Sequence, residues 1–290
     1  MKILFVCTGN TCRSPMAEVL FREMLKKEKI ENVEVSSAGI SAISGDEVSV
    51  NCVKALKEYG IDISSHRARS FNSYLLMDTD LFVCMTKQQR TVLSSAIGSE
   101  RVFTLENEIS DPFGKDENVY SECAKEIYNG LQILLEKVKT MLNIVLMEEK
   151  HIKDIAEIER ECFSAPWSEK SLSEELGNDN SHFLVAILND EAVGYIGIQS
   201  ICSECYITNV AVREKYRQQK IATQLIDRAF RDAILRNDEF ITLEVRKSNR
   251  AAISLYSKFG FKIDGERKDF YSSPKEDAHI MTLRLREGDE

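Results

Sequence analysis

The sequence has no long apolar segment. Near its start the longest apolar run is Ile3–Cys7, which is far too short for a signal peptide or a membrane-spanning helix. We therefore expect a cytoplasmic protein with no membrane partner. The 290 residues are 43% hydrophobic and 29% charged, as in soluble globular proteins. This length suits two domains of roughly 150 residues each.

The sequence also lacks the usual patterns of metal sites and disulfide frameworks. Its eight cysteines are not arranged as in small disulfide-rich folds, and a cytosolic chain keeps its cysteines reduced. Cys202 and Cys205 form one Cys-x-x-Cys pair, but no second pair or histidine cluster follows it. We expect no metal.

An excess of positive charge is missing as well. The net charge is −9, with 17 basic and 20 acidic residues in 1–142 and 21 basic and 27 acidic residues in 143–290. This balance argues against direct binding of nucleic acid. The more acidic second half could attract a basic protein substrate, although a solvated acidic surface is the commoner explanation.

The first half of the chain alternates short apolar runs with helical patterns. Strands are predicted at Ile3–Cys7, Val33–Ser36, Asp80–Met85 and Arg101–Leu105. Helices are predicted at Met16–Lys29, Val50–Tyr59 and Tyr120–Leu142. Strands separated by helices indicate an α/β domain over residues 1–142, a doubly wound parallel sheet covered on both faces.

The second half has a different rhythm, and we expect an α+β domain over residues 143–290. Strands are predicted at Ile144–Met147, Phe183–Leu188, Ala192–Gln199, Cys205–Val212 and Phe240–Val245, with two more at the end. Helices are predicted at His151–Cys162, Glu169–Leu176, Ile221–Asn237 and Ala251–Phe259. The boundary near Leu142 has no linker rich in glycine, proline or serine.

The segment Cys7–Pro15 has the residues of a phosphate-binding loop between a strand and a helix. Arg13 follows Cys7 by six positions, so one tight loop can surround a phosphate with inward-pointing backbone N–H groups. The helix that begins beside Ser14 and Pro15 adds its positive end, which also favours a cysteine thiolate. The guanidinium of Arg13 can bind two phosphate oxygens.

Residues 1–140 resemble the low-molecular-weight protein-tyrosine-phosphatase family. The matching segments are Val6–Pro15, Ser37–Gly39, Gly60–Arg69 and Asp111–Phe113. The resemblance implies that Cys7 is the nucleophile, that Arg13 binds phosphate and that Asp111 is the general acid. It also implies a reversible disulfide between Cys7 and Cys12 under oxidation. The implied phosphate-binding residues are Thr8, Gly9, Asn10, Thr11, Cys12, Arg13 and Ser14.

Two positions favour phosphoarginine over phosphotyrosine as the group on the phosphoprotein substrate. Thr11 replaces the aliphatic residue that is usual in tyrosine-specific members, and Gly114 follows Phe113 where a second aromatic ring is usual. Both resemble the bacterial protein-arginine-phosphatase branch, and a hydroxyl suits a guanidinium better than a phenyl ring. Tyrosine phosphatase remains the alternative. Arsenate reduction is a third, although Cys84 has no cysteine close after it.

The polar segment Arg217–Ala222 joins a predicted strand to a predicted helix, which suits the binding of a pyrophosphate. Six further segments carry motifs: Ala165–Ser168, Ile207–Val212, Leu243–Tyr256, Phe259–Phe261, Phe270–Tyr271 and Glu276–Ala278. By these segments residues 143–286 resemble the GNAT acetyltransferases, and among them the ribosomal-protein-alanine N-acetyltransferases. The resemblance implies a mixed, splayed sheet, acetyl-CoA as co-substrate, and the N-terminal alanine of a small-subunit ribosomal protein as acceptor.

The same resemblance assigns roles to individual residues. Glu244 would be the general base, and Tyr256 would protonate the departing thiolate of CoA. The implied acetyl-CoA contacts are Val210, Ala211, Val212, Arg217, Gln218, Gln219, Lys220, Ile221, Ala222, Thr223 and Asn249. Lys220 stands where the family usually has glycine, so it either crowds the loop or adds charge to it. The alternatives are a small-amine or lysine acetyltransferase, or a regulatory protein with one inactive domain.

Overall fold

The computed structural model describes residues 1–105 and 108–286. The chain divides into two compact units, Met1–Met141 and Leu142–Glu290. Each unit has its own hydrophobic clusters on both faces of its own sheet.

The N-terminal unit contains a four-stranded sheet in which all the pairs are parallel. The spatial order is β2-β1-β3-β4, with bounds β1 Lys2–Cys7, β2 Glu34–Gly39, β3 Leu81–Cys84 and β4 Val102–Thr104. Side chains of β1 alternate between two clusters: Ile3, Phe5 and Cys7 belong to one, and Leu4 and Val6 to the other. The sheet is therefore covered on both faces, which confirms the doubly wound α/β prediction.

Helices supply both covering layers of this sheet. Their bounds are α1 Arg13–Lys27, α2 Val50–Lys57, α3 Ser73–Asp78, α4 Lys87–Ile97 and α5 Glu117–Thr140. The first, second and fifth helices contribute to the larger cluster, while Leu75 of α3 and Leu93 of α4 belong to the smaller one.

The sequence pattern missed α3 and α4. Helix α3 is only six residues long, and α4 buries only Gln89 and Leu93. Neither therefore shows the apolar repeat on which helix prediction depends. Local capping marks both helices instead: Asn72 caps α3, and Thr86 forms a capping box with Gln89 at the start of α4.

The C-terminal unit contains a seven-stranded mixed sheet in the order β10-β11-β9-β8-β7-β6-β5. The strand bounds are β5 Asn143–Leu146, β6 Leu184–Leu188, β7 Glu191–Ile201, β8 Glu204–Val212, β9 Phe240–Arg246, β10 Lys262–Ser272 and β11 Lys275–Arg284. Strands β8 and β9 are parallel, and the other pairs are antiparallel. The helix bounds are α6 Ile152–Cys162, α7 Glu169–Leu176, α8 Ile221–Arg236 and α9 Arg250–Lys258.

Strands β8 and β9 separate part-way along their length. Their parallel pairing joins Glu204–Ile207 to Phe240–Leu243. Strand β8 nevertheless continues to Val212, and β9 continues to Arg246. Along this stretch β8 stays paired with β7 on its other side, and β9 with β11. The result is a V-shaped opening in the middle of the sheet, bordered by the ends of β8 and β9.

Among the residues that the structure describes, no helix has the length and apolar character needed to cross a membrane. Over residues 1–105 and 108–286, no three His, Cys, Asp or Glu side chains come together as metal ligands would.

Two candidate active sites

The sulfur of Cys7 lies at the carboxyl end of β1, against the first turn of α1. The Cys7 Sγ accepts a hydrogen bond from the backbone N–H of Asn10 at 3.1 Å and lies 2.9 Å from the Ser14 Oγ. Only 3% of Cys7 is exposed. A backbone N–H, a hydroxyl and the positive end of a helix therefore surround the sulfur.

Asn10 holds the loop between Cys7 and α1 in its curved shape. Its φ is 54°, in the left-handed region that asparagine tolerates better than most residues. Its fully buried side chain donates to the Oγ of Ser14 at 2.9 Å and to the Oγ of Ser37 at 2.8 Å. It also accepts from the backbone N–H of Arg69 at 2.8 Å. These bonds explain what the segments around Ser37 and Arg69 contribute, which the sequence did not reveal.

Gly39 allows the end of β2 to pass close beside the same loop. A Cβ atom on this residue would lie 2.6 Å from the carbonyl oxygen of Thr8 and 2.9 Å from the backbone nitrogen of Asn10. Any larger residue would displace the loop of residues 7–14, the candidate phosphate loop. The backbone N–H of Ile40 also donates to the Cys7 carbonyl oxygen at 2.9 Å.

Arg13 and Asp111, which are far apart in the sequence, meet at this loop. The Nη2 of Arg13 donates to the Oδ2 of Asp111 at 2.9 Å, and Nη1 donates to the carbonyl oxygen of Ile109 at 3.4 Å. The Arg13 side chain is 7% exposed, whereas that of Asp111 is 57% exposed. The guanidinium therefore lies at the base of the site, and the carboxylate lies at its mouth.

A cavity of about 450 Å³ opens beside the phosphate loop. Its lining residues are Gly9, Thr11, Ser41, Ile43, Asp46, Glu47, Ser49 and Phe113. It thus combines the hydroxyls of Thr11, Ser41 and Ser49 with one exposed aromatic ring and two carboxylates. Gly114 has a φ of 73°, which bulky residues rarely adopt, so a second aromatic ring does not suit that position.

Cys12 lies beneath the loop and is chemically different from Cys7. Its Sγ lies 3.1 Å from the hydroxyl oxygen of Tyr120, and burial raises its pKa. All eight cysteines are free thiols, so the disulfide between Cys7 and Cys12 stays a prediction. Cys84 is fully buried, and burial raises its pKa to about 12. Burial of this kind argues against a relay of mobile, reactive cysteines.

Glu244 lies at the opening between β8 and β9 in the C-terminal unit. It directly follows Leu243, the last residue of β9 that pairs with β8. Its side chain is 4% exposed, and the Nη1 of Arg267 lies 3.2 Å from its Oε1. Burial raises the pKa of Glu244, and the charge of Arg267 opposes that shift. A buried carboxylate with a raised pKa has the properties of a general base.

Tyr256 is a buried residue of α9. Burial raises its pKa, and the neighbouring Tyr271 adds to this effect, so the hydroxyl keeps its proton at neutral pH. Burial also raises the pKa of Tyr271, and the charge of Glu244 contributes to that shift. Glu244, Tyr271 and Tyr256 therefore form one electrostatically connected group.

The loop before α8 fits the pyrophosphate of a nucleotide cofactor. Helix α8 begins at Ile221 without a side-chain cap, so the N–H groups of its first turn can bind an anion. Lys220 and Gln218 have φ values of 61° and 64°. This left-handed backbone explains the family's preference for glycine at the Lys220 position, and the chain adopts it with lysine.

The other implied acetyl-CoA contacts fall at the same opening or beside it. Val210, Ala211 and Val212 form the end of β8, which pairs with β7 on one side only beyond Ile207. Asn249 caps α9, because its side chain accepts from the backbone N–H of Ala252 at 3.1 Å. The structure thus gives Asn249 a capping role that the resemblance did not include.

A buried carboxylate, Glu159 of α6, was also missed by the sequence pattern. Its Oε2 accepts from the backbone N–H of Trp167 at 2.7 Å. Its Oε1 accepts from the Nδ2 of Asn209 at 2.8 Å and from the hydroxyl of Tyr195. These donors satisfy a carboxylate that is fully buried. Glu159 therefore joins α6, the loop at Trp167 and the strand that borders the opening.

Family models match both parts of the chain. Residues 2–145 match the low molecular weight phosphotyrosine protein phosphatase family, and residues 152–261 match the acetyltransferase (GNAT) family. A protein-arginine-phosphatase of Bacillus subtilis is 36% identical over 148 residues, which cover 48% of this chain and 97% of that relative. A putative [ribosomal protein bS18]-alanine N-acetyltransferase of the same bacterium is 34% identical over 151 residues, which cover 52% of this chain and 100% of that relative. The chain belongs to both families.

The phosphatase unit has tyrosine-specific relatives as well. The low molecular weight protein-tyrosine-phosphatase PtpB of Staphylococcus epidermidis is 35% identical over 146 residues, which cover 48% of this chain and 97% of that relative. Identity therefore does not separate the two phosphatase specificities. The chain is an enzyme that joins a phosphatase unit to an acetyltransferase unit, and membership of the GNAT family implies the use of acetyl-CoA.

Proposed function

We propose that the phosphatase unit hydrolyses phosphoarginine in proteins through a cysteinyl-phosphate intermediate. We further propose that the acetyltransferase unit acetylates the N-terminal alanine of a small-subunit ribosomal protein, and that both units act in the cytoplasm. The contact of the Cys7 sulfur with the N–H of Asn10 and the hydroxyl of Ser14 carries the first proposal. The position of the buried Glu244 at the opening between β8 and β9 carries the second.

In the phosphatase reaction the Cys7 sulfur attacks phosphorus. The S–P bond forms while the bond to the leaving nitrogen breaks, and Asp111 donates a proton to that nitrogen. Arg13 and the N–H groups of the loop bind the phosphoryl oxygens. Water then attacks the phosphorus atom, and Asp111 accepts a proton from it. The O–P bond forms while the S–P bond breaks, which releases inorganic phosphate and the Cys7 thiolate for the next cycle. In the free enzyme Arg13 holds Asp111 at the mouth of the site.

The cavity beside the loop supports phosphoarginine as the substrate group. A phosphoarginine side chain keeps a positive guanidinium group, which the carboxylates of Asp46 and Glu47 in the cavity lining attract. Glu47 also pairs with Arg67 at 3.2 Å, so Asp46 is the main contributor. The hydroxyl of Thr11 adds a polar contact. The exposed ring of Phe113 favours phosphotyrosine as the second candidate, because it can stack on a phenol ring.

Two matched peptides test the phosphatase proposal. One carries phosphoarginine and the other phosphotyrosine at the same position, and kcat/KM is measured for both. We expect faster hydrolysis of the phosphoarginine peptide. A higher kcat/KM for the phosphotyrosine peptide would reverse the assignment of substrate. The assignment of Asp111 is tested separately, because Asp111→Asn removes the proton donor and is expected to lower kcat by at least about a hundredfold.

In the acetyltransferase reaction Glu244 accepts a proton from the α-ammonium group of the acceptor, directly or through water. Acetyl-CoA, when bound, supplies the acetyl thioester. The new amide bond forms while the bond from the acetyl carbon to sulfur breaks, and Tyr256 would donate its hydroxyl proton to the leaving sulfur. Its raised pKa means that this hydroxyl is protonated at neutral pH. The end of β8, from Val210 to Val212, and the first turn of α8 would hold the cofactor.

A chain terminus is a suitable acceptor for this site. An α-amino group has a pKa of about 8, compared with about 10.4 for lysine, so Glu244 deprotonates it at a smaller free-energy cost. The hydroxyl of Ser164 donates to the carbonyl oxygen of Ser273 and joins the loop before Trp167 to the turn of the β10–β11 hairpin. These two segments would flank a slot for a peptide end.

Three kinds of acceptor distinguish this function from its alternatives. They are a basic peptide that begins with alanine, the same peptide with a blocked N-terminus and an internal lysine, and a panel of polyamines. We expect the first to react far faster than the others. If the blocked peptide or a polyamine has the higher kcat/KM, the unit is a lysine or small-amine acetyltransferase.

A further inference from the structure

The carboxylate of Glu244 is covered by one arginine. Arg267 of β10 brings its Nη1 to 3.2 Å from the Glu244 Oε1. The arginine side chain is 56% exposed, whereas the glutamate side chain is 4% exposed. The guanidinium also lies over the ring of Phe270, 5.6 Å from its centroid. The exposed side chain of Arg267 therefore lies between solvent and the buried carboxylate of Glu244.

Few other ionisable groups face this carboxylate. From β10, Tyr271 donates its hydroxyl to the backbone carbonyl oxygen of Glu244 at 3.3 Å. On β11 the residue opposite Glu244 is the apolar Ile280, and the last residue of β8 that pairs with β9 is the apolar Ile207. On α9, Tyr256 is connected to the group through Tyr271. On β9 itself, Arg246 lies over the ring of Tyr271 and pairs with Glu276 at 3.2 Å. Arg267 is thus the cation that pairs directly with Glu244 among these neighbours.

The acceptor must bring a cation of its own to the same carboxylate. An α-ammonium group is positive before it gives up a proton, and it needs a position within hydrogen-bond distance of the base. The guanidinium of Arg267 occupies one oxygen of that carboxylate. Water solvates the exposed Arg267 when it leaves, and the incoming α-ammonium group replaces it, so the buried carboxylate of Glu244 is not left without a cation.

We propose that Arg267 is a displaceable counter-ion, which covers Glu244 in the free enzyme and exchanges with the α-ammonium group of the acceptor. The proposal rests on the proposed role of Glu244 as general base. Arg267 is a positioning residue in this scheme: it acts on the reaction through Glu244 and takes no part in proton transfer.

The sign of the effect on pH dependence follows from the charge of Arg267. This positive charge favours the ionised form of Glu244 and so opposes the rise in its pKa that burial causes. Removing the charge raises that pKa further. Since a general base acts in its unprotonated form, the rising limb of kcat/KM against pH moves to higher pH when Arg267 loses its charge.

The test compares three variants of the full chain with the wild type on an alanine-starting peptide. Arg267→Met removes the charge and keeps a long side chain, and Arg267→Lys keeps the charge. Lys262→Met makes the same change of charge at an exposed position of the same strand. The pH profile of kcat/KM, KM for the peptide and the affinity for CoA are measured for each.

For Arg267→Met we expect the rising limb of kcat/KM to lie at higher pH than in the wild type. At pH values above that limb we expect KM for the peptide to be roughly two- to fivefold lower, because no arginine competes with the α-ammonium group for Glu244. Arg267→Lys and Lys262→Met should both show the pH profile of kcat/KM that the wild type shows. An Arg267→Met profile and KM equal to those of Lys262→Met would overturn the proposal. A higher KM at every pH would also overturn it, since Arg267 would then contact the acceptor itself.

Glu244→Gln separates this inference from the function on which it rests. If that variant keeps full activity, or if the wild type does not acetylate the alanine-starting peptide, the proposed function itself fails. If Glu244→Gln is inactive and Arg267→Met leaves the profile unchanged, only the counter-ion proposal fails.

Discussion

At the scale of single residues, the phosphate loop surrounds the sulfur of Cys7 with polar groups. The Cys7 Sγ has an N–H donor at 3.1 Å and a hydroxyl at 2.9 Å. A serine hydroxyl in the same position would have no paired base to activate it. Replacing the sulfur would therefore remove the proposed nucleophile and leave the other residues of the loop unchanged.

We expect Cys7→Ser to abolish phosphatase activity and to leave acetyl transfer unchanged. Both activities are measured on one preparation of the variant. Cys202→Ser, a change at an exposed cysteine, is the matched control and keeps both activities. Phosphatase turnover above a few per cent of wild type would rule out Cys7 as the nucleophile.

Thr11 is the residue through which we expect to change the phosphatase specificity. In Thr11→Ile an apolar side chain replaces the hydroxyl in the cavity lining, which favours a phenyl ring and disfavours a guanidinium. The ratio of kcat/KM for phosphotyrosine to that for phosphoarginine should rise by at least about tenfold. Thr91→Ile, the same change on the exposed face of α4, should leave the ratio unchanged. An equal ratio in both variants would remove Thr11 from the specificity determinants.

At this scale the sequence indicated candidate reactive residues but not the residues that support them. Cys7, Arg13 and Asp111 stand in short motifs, and the structure brings Arg13 to 2.9 Å from Asp111. Ser37 and Arg69, which hold Asn10, come from distant segments that matched the phosphatase family, but the match assigned no role to either residue. Their role depends on the packing of β2 beside β1, which only the folded chain provides.

At the scale of elements, Glu159 connects a helix, a loop and a strand. Its carboxylate accepts from Trp167, Asn209 and Tyr195. A buried charge without partners would destabilise the fold strongly, so the three donors and the carboxylate depend on one another. The loop at Trp167, which would flank the acceptor slot, is thereby tied to the strand that borders the opening.

We expect Glu159→Gln to lower the free energy of unfolding of the acetyltransferase unit by about 1–3 kcal/mol, because an amide cannot accept from all three donors. We also expect KM for the acceptor peptide to rise, as the loop at Trp167 loses a bond. Chemical denaturation and steady-state kinetics measure these effects. Glu174→Gln, on the exposed face of α7, should change stability by less than about 0.5 kcal/mol. Equal stability of the two variants would mean that the Glu159 network does not contribute.

The elements with a clear apolar pattern could be predicted, and the irregular features could not. Strands β1 and β3 are almost wholly buried runs, and α8 and α9 lie within a residue of their predicted bounds. The separation of β8 from β9 has no local pattern, because both strands continue as regular strands beyond Ile207 and Leu243. The opening forms because β8 stays paired with β7 and β9 stays paired with β11 beyond these residues. This pairing depends on the whole sheet.

At the scale of the whole molecule, each unit has the parts of an independent domain. The phosphatase unit packs two hydrophobic clusters around its own four strands, and the acetyltransferase unit packs two around its own seven. The division falls between Met141 and Leu142. We infer that these units are the folding domains of the chain.

Separate expression tests this inference. Fragments 1–141 and 142–290 should each unfold cooperatively in a calorimeter and keep their own activity within about twofold of the full chain. Fragment 1–130 is the control, since it lacks Leu131, Leu134 and Leu135 of the larger phosphatase cluster and should not fold. If fragment 1–141 or 142–290 fails to fold, the domain boundaries are different.

Lys220, which precedes α8, is expected to lower the thermal stability of the acetyltransferase unit and to raise its affinity for acetyl-CoA. A non-glycine residue at a φ of 61° stores about 1 kcal/mol of strain that glycine would release. Variants selected for thermal stability should therefore converge on Lys220→Gly, with a higher melting temperature. The same change removes a positive charge beside the proposed pyrophosphate site of acetyl-CoA, so KM for acetyl-CoA should rise. An engineer seeking a more robust enzyme would thus obtain a slower one at low acetyl-CoA, and measuring both quantities on that single variant shows how far stability and affinity compete at this position.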